Sequence, residues 1–443
     1  MRLRAIHARL RSGAGILLLC AAFPRVHAQA LLERTFRVDA ESEVLVELRA
    51  QVPGANWGER GREAAVLTIV LDGRYQQDVI LFAGETPFRY SFHLGRVRPG
   101  THTVRVLWNR ARSAPRVSAP RIEDIAFRAV SRADAEFLAL AHSPILYARP
   151  NSIGRFTDIP LLMWYETTRQ GETFTIRYSA IFSNEDGGTE TSALMARWGR
   201  ATDIEWVYEV QVTSDGRVLD ARYQGPRHQT RRFRGRREGD HPLLLVVSDN
   251  NNFSDRGRSP MRFALRPIPF DTSAAAREEL MDQHPWTYRI MAEELQREGK
   301  VGEGLRVGRQ IPDPRRYLYI EVVSEQQDAG VSLAVRRAGD HRWYASNLGV
   351  TSFALERSGF LRTAIPLPEG TTASHIERIL VRCDALIDPR MPGADERWAR
   401  AGCFVRGVRK VFFLDPDFRP GPPLPVRTDP IRLRVGEMVE VWP

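Results

Sequence analysis

The densest run of chemistry-capable side chains is SNEDGGTETSALMARWGRATDIEWVYEV, residues 183–210. On a strand alternate residues share a face, so Asp203, Glu205 and Glu209 are expected to point together, opposite Ile204, Trp206 and Tyr208. Carboxylates two residues apart stand roughly 6–7 Å from one another along a strand. That separation suits a hard cation such as calcium, which takes carboxylate and carbonyl oxygen. It also suits the acid and base of a glycosidase. The solvated face of a half-buried strand carries the same residue types, so spacing alone leaves all three readings open.

Two further polar segments accompany this strand. The loop before it offers Asn184, Glu185 and Asp186 beside Gly187 and Gly188. Its composition is that of a calcium loop, but its spacing is not that of an EF-hand, and ordinary turn chemistry uses the same residues. Asp203, Glu205 and Asp186 are the candidate metal ligands. Downstream, HPLLLVVSDNNNFSDRG leaves an apolar strand and enters Asp249, Asn250, Asn251, Asn252 and Asp255. Loops at strand ends are where sites collect. The three segments are therefore expected to meet at one end of a central sandwich. His241 and Ser248 make no hydrolase triad, because no nucleophile elbow surrounds Ser248. Trp198 is the candidate platform for stacking a sugar ring, whereas Trp206 alternates with the apolar face and is expected to be structural.

The stretch PRHQTRRFRGRREGDH, residues 226–241, carries six arginines. It could grip phosphate or a sulfated polysaccharide, and a solvated loop between strands would look the same. Phe233 is its one aromatic and no nucleic-acid motif accompanies it, so nucleic acid is not expected as a partner.

The elements that must position these residues are mostly strands. Across 443 residues, 43% hydrophobic and 27% charged side chains describe an ordinary folded chain, and 28 prolines with 33 glycines between short apolar runs favour turns and sheets. The expected class is all-β: three consecutive β-sandwich modules with a short helical connector. Residues 1–30 read as a signal peptide, with Arg2, Arg4, Arg9 and Arg11 before AGILLLCAAF and small residues at Ala28 and Ala30. Its apolar run is too short to span a bilayer, so no transmembrane segment is expected. The segment holds five arginines and no acid, and its removal takes the formal net charge from +10 to about +5. Residues 31–130 form the first β-module, 142–270 the central sandwich, 271–313 the connector and 314–443 the last module with its proline-rich tail. Pro285 is expected to break the connector into two helices. Cys383 and Cys403 are the cysteines left after processing, and in an exported chain they are expected to pair.

HSPILYARP, LLMWYE, IRYSAIFSNEDGG, DIEWVYEV and HPLLLVVSDNNNF occur in that order. Together they resemble proteins like vacuolar protein sorting-associated protein 62 and, more distantly, the necrosis- and ethylene-inducing toxin family. The resemblance covers about 130 central residues. It implies a β-sandwich with an acidic site at Asp203 and Glu205, and toxin relatives bind a divalent cation and a sugar-bearing lipid head group. DIEW departs from the family's G-D-W-E strand, and SDNN stands where the family has G-S-H, without its histidine.

These readings lead to a secreted (extracellular or periplasmic) protein that binds a glycan or cell-surface ligand through acidic loops, with calcium as candidate cofactor. Two alternatives stand beside it. One is a polysaccharide hydrolase or lyase using Asp203 and Glu205, and the other is a structural envelope protein.

Overall fold

Short alternating runs become strands because every second side chain can be buried against a facing sheet. The computed structural model describes residues 28–185, 187–426 and 429–441. The expected signal peptide therefore lies almost wholly outside the described residues, and the first strand, Ala28–Val38, begins at its end.

Among the described residues six sheets pack as three pairs. In the first, strands Ala28–Val38, Gly100–Asn109, Ala65–Leu71 and Arg74–Leu81 face Phe88–Val97, Ser42–Gln51 and Arg121–Val130. Val46, Leu48, Val66, Ile69 and Val106 fill the space between them. In the last, Gly359–Pro366, Tyr317–Gln327, Gly402–Phe412 and Ile431–Arg434 face Trp343–Ala345, Ala329–Arg337, Ile376–Ala385 and Met438–Glu440. The expected disulfide joins buried Cys383 to Cys403 with Cα atoms 5.8 Å apart, and so ties one sheet of this pair to the other. Beyond the proline-rich stretch, Met438–Glu440 pairs with Ile376–Ala385.

The central pair positions the site. Its larger sheet runs Gln229–Arg232, Val218–Gly225, Asp203–Thr213, Thr173–Phe182, Pro160–Gln170 and Pro267–Pro269. The smaller is built on His241–Val246, which pairs in parallel with Ile145–Tyr147. Leu244 and Val246 point to the inter-sheet core and Leu243 to a separate cluster, which explains the unbroken apolar run of that strand. The connector forms helices Glu279–Gln283 and Trp286–Arg297, parted at Pro285 as the sequence requires.

One irregularity decides which way the acids face. Tyr178 lies opposite Tyr208 and Ser179 opposite Trp206, so Val207 is an extra residue, a β-bulge. A one-residue slip exchanges the two faces of everything beyond it. Above the bulge Tyr208, Val210 and Val212 share the inter-sheet core with Ile176 and Tyr178. Below it Glu205 sits opposite Ala180 and Asp203 opposite Phe182, on that same inner face. The expected common face for Asp203, Glu205 and Glu209 is thus corrected. Glu209 lies on the other face, bonded 2.8 Å from Arg177, while Asp203 is 3% exposed. Trp206 is corrected too: it is half-buried on that other face, with the Arg177 guanidinium 5.7 Å from its ring.

Candidate functional site

Asp203 ends the inner face of its strand, and two loops close over it. Ser248 to Asn252 form a tight turn in which Asn251 adopts a left-handed backbone (φ 46°), a conformation asparagine tolerates better than most residues. This turn drives the Asn251 side chain inward, where it is fully buried. Its Nδ2 donates to Asp203 Oδ2 at 2.9 Å and also approaches Asp158 Oδ1 at 3.4 Å and the Asn184 carbonyl at 3.5 Å. Three acceptors around one nitrogen fix the amide's orientation. Its Oδ1 is left buried with no partner among the described residues.

The 184–190 loop touches the 249–255 loop where Gly187 meets Asn250: a Cβ on Gly187 would fall 1.5 Å from Asn250 Oδ1. Only glycine permits that approach. Thus the strand end and both loops converge, as their placement at strand ends predicts. Asn184 also donates to Glu298 Oε1 at 3.1 Å, tying the site to the connector helix, and Thr189 donates to Glu185 at 3.3 Å. Asp249 is mostly exposed and pairs with Arg149, which also pairs with buried Asp158. Asp186 lies outside the described residues.

Glu205 stands one pleat nearer solvent. Gln224 Nε2 donates to it, and His228 Nδ1 lies 3.5 Å from its Oε1. The Glu205 bond draws the His228 ring above its ordinary pKa. Burial pushes the Asp203 carboxyl well above the usual carboxylate range, and neighbouring Glu205 and Glu185 push the same way, opposed by Arg200 and the Asn251 amide. Burial also raises Glu185, against the pull of Arg200. Like-charged groups held out of water favour whatever neutralises them, a proton or a cation. Among the described residues no group of three or more His, Cys, Asp or Glu is arranged to hold a metal ion.

Trp198 is not part of this cluster. TSALMARW, read as part of a polar stretch, forms the helix Thr191–Trp198, closed by Gly199 in a left-handed conformation (φ 62°). Trp198 ends that helix and lines a cleft of about 290 Å³ with Arg277, Arg357 and Phe360. Arg200 lies 5.7 Å over its ring. Sequence reasoning missed Arg149, Asp158, Arg200, Gln224 and His228. Each is a common residue type that nothing local marks; Arg200 lies in the opening stretch itself, and the others come from segments farther away in sequence.

No family model matches the chain, and no curated protein matches it. Several solved structures show partial likeness. The EclA C-terminal domain, a sugar-binding protein, is 17% identical at a TM-score of 0.18, covering 23% of this chain and 69% of that one. NLPPya in complex with mannosamine is 11% identical at 0.23, covering 34% and 81%. A GH2 beta-galacturonidase from Eisenbergiella tayi bound to galacturonate is 10% identical at 0.13, covering 35% of this chain and 22% of that chain. Among the described residues no helix is long and apolar enough to cross a membrane.

Proposed function

We propose that this is an exported, multi-module β-sandwich protein that binds a glycan or another hydroxyl-rich cell-surface ligand at the loop end of its central sandwich. In this reading Asp203, Glu205 and Asp186 take a calcium ion, and Asn184, Glu185, Asp249 and Asn250 shape the rim. Export is inferred from the basic, apolar and small-residue order of residues 1–30.

One observation carries the reading. Among the described residues Asn251 Oδ1 is buried without a partner beside the raised Asp203 carboxyl, in a cluster drawn from three separate segments. An unpaired buried carbonyl costs about 1–3 kcal/mol, and a structure that tolerates it holds an acceptor ready for a donor or a cation. The polysaccharide hydrolase reading asks more of the same residues, because a catalytic acid must touch its substrate and Asp203 is 3% exposed. Binding therefore stands ahead of catalysis.

A glycan panel probed with and without calcium tests the proposal. Calcium-dependent binding to a defined saccharide, abolished by Asp203→Asn, is the expected result. Binding that survives both calcium removal and Asp203→Asn would move the ligand elsewhere on the molecule.

A further inference from the structure

The arginine-rich stretch is not a uniform solvated loop. Arg237 turns inward, donating to the Tyr208 hydroxyl at 2.6 Å and lying 4.9 Å over Phe233. Arg232 lies on an edge strand, 3.6 Å from Asp220. Phe233 is buried against Tyr208 and Tyr223, and anchoring it forces the next residues outward. Gly235 then packs on the neighbouring loop so closely that a Cβ would fall 2.5 Å from the Asp255 carbonyl. The Arg234 amide donates to Asp255 Oδ2 at 2.8 Å, and Tyr223 donates to Oδ1 at 3.3 Å. Two segments distant in sequence are thereby sewn together.

Between them lies a groove of about 370 Å³ lined by Arg234 and Arg236 from one segment and Arg256 and Arg258 from the other. All four are exposed. Among the described residues none of the four guanidinium groups makes an ion pair, a hydrogen bond or a ring contact. Asp255, the one acid lining the groove, is already bonded by the Arg234 amide and Tyr223. Four arginines against one carboxylate leave the recess with an excess of positive charge, and each guanidinium can hold two oxygens of a carboxylate or sulfate.

We propose that this groove binds the repeated oxyanions, carboxylate or sulfate, of an acidic polysaccharide. The site goes beyond the calcium-dependent reading and does not rest on it. A recess lined by arginine, with buried Leu243 as its only apolar side chain, offers nothing to insert into a bilayer. Nor does it offer an exposed aromatic ring on which nucleic-acid bases could stack, because Phe233 is buried.

The test is retention of the full chain on heparin and on polygalacturonate, against neutral dextran, phosphatidylserine vesicles and duplex DNA. Salt-sensitive binding to at least one acidic polysaccharide, and none to dextran, is expected. Heparin alone would identify sulfate as the recognised group, and polygalacturonate alone would identify carboxylate. Replacing Arg234, Arg236, Arg256 and Arg258 together with alanine should weaken binding by about a hundredfold. Replacing exposed Arg110, Arg306, Arg309 and Arg342 should change it by less than about twofold, and Asp203→Asn should leave it unchanged. Equal loss in the control set, loss with Asp203→Asn, tighter binding to vesicles or DNA, or no retention at all would overturn the groove.

Discussion

Two of the buried polar clusters among the described residues are built in opposite ways. At the junction of the first and central sandwiches, Glu43, His93, Ser143 and His241 are almost wholly inaccessible. His241 is bonded at both ring nitrogens, to Glu43 Oε2 at 3.0 Å and to the Ser143 carbonyl at 2.9 Å. His93 takes the Gly95 amide at 3.1 Å and meets Ser143 Oγ at 3.2 Å, and that hydroxyl donates to the Leu140 carbonyl at 2.8 Å. Burial alone would raise Glu43, but bonds from His241 and Arg96 hold it below its ordinary value. A serine, a histidine and a glutamate meet here, yet the serine is sealed from substrate and its proton is committed. At the loop end of the central sandwich the balance reverses. Carboxyls crowd together, Asp203 is driven upward, and an amide oxygen has no partner among the described residues. The satisfied cluster joins two modules, and the unsatisfied one is where the proposed ligand would bind.

Breaking the satisfied cluster should have the largest effect. His241→Ala leaves buried Glu43 with Arg96 as its remaining partner, and a loss of about 3 kcal/mol in urea denaturation is expected. Ser143→Ala removes a bond but leaves no charge exposed, and should cost about 1–2 kcal/mol. A loss no greater than that for His241→Ala would remove the contrast between the clusters.

Glu294 sharpens the comparison as an intermediate case. Its Oε2 accepts from Trp57 Nε1 at 3.1 Å, linking the connector helix to the first sandwich, yet burial raises its carboxyl to about 7. A raised acid contributes stability that is complete below its unfolded value and disappears as pH climbs through its folded value. The contribution of Glu294 to stability should therefore fall by about 2–4 kcal/mol between its ordinary value, near 4.5, and about 7. Glu294→Gln keeps an acceptor for Trp57 and should flatten that slope in pH-dependent melts. An unchanged slope would place the titration elsewhere.

The disulfide serves as a reference remote from both clusters. Reduction of Cys383–Cys403 should cost about 2–4 kcal/mol, and thiol titration of the unfolded, unreduced chain should find no free thiol at either position. The expected ligand response of the central site should survive reduction.

How much of this was legible in the sequence depends on whether the cause was local. Alternating runs such as FTIRYSAIF, the break at Pro285 and the cysteine pair each carry their own signal, and the all-β architecture followed from them. Convergence of the 184–190 and 249–255 loops on Asp203 was also legible, because all three border strand ends. The facing of Asp203 and Glu205 was not. Val207 is an ordinary strand residue, and nothing in IEWVYEV marks it as the bulge that turns both acids inward and Trp206 outward. Trp198 was misplaced for a different reason. Gly199 signals the end of a helix, but acids and hydroxyls before it masked the eight residues that form one.

The central claim is that the unsatisfied cluster awaits a ligand, and calcium titration followed by thermal unfolding tests it most directly. Asp203→Asn keeps the acceptor for Asn251 and should remain within about 1 kcal/mol of the parent without calcium. Added calcium should raise the parent's Tm progressively and leave that of Asp203→Asn unmoved. A parent whose Tm ignores calcium, or a variant that responds as the parent does, would contradict the account.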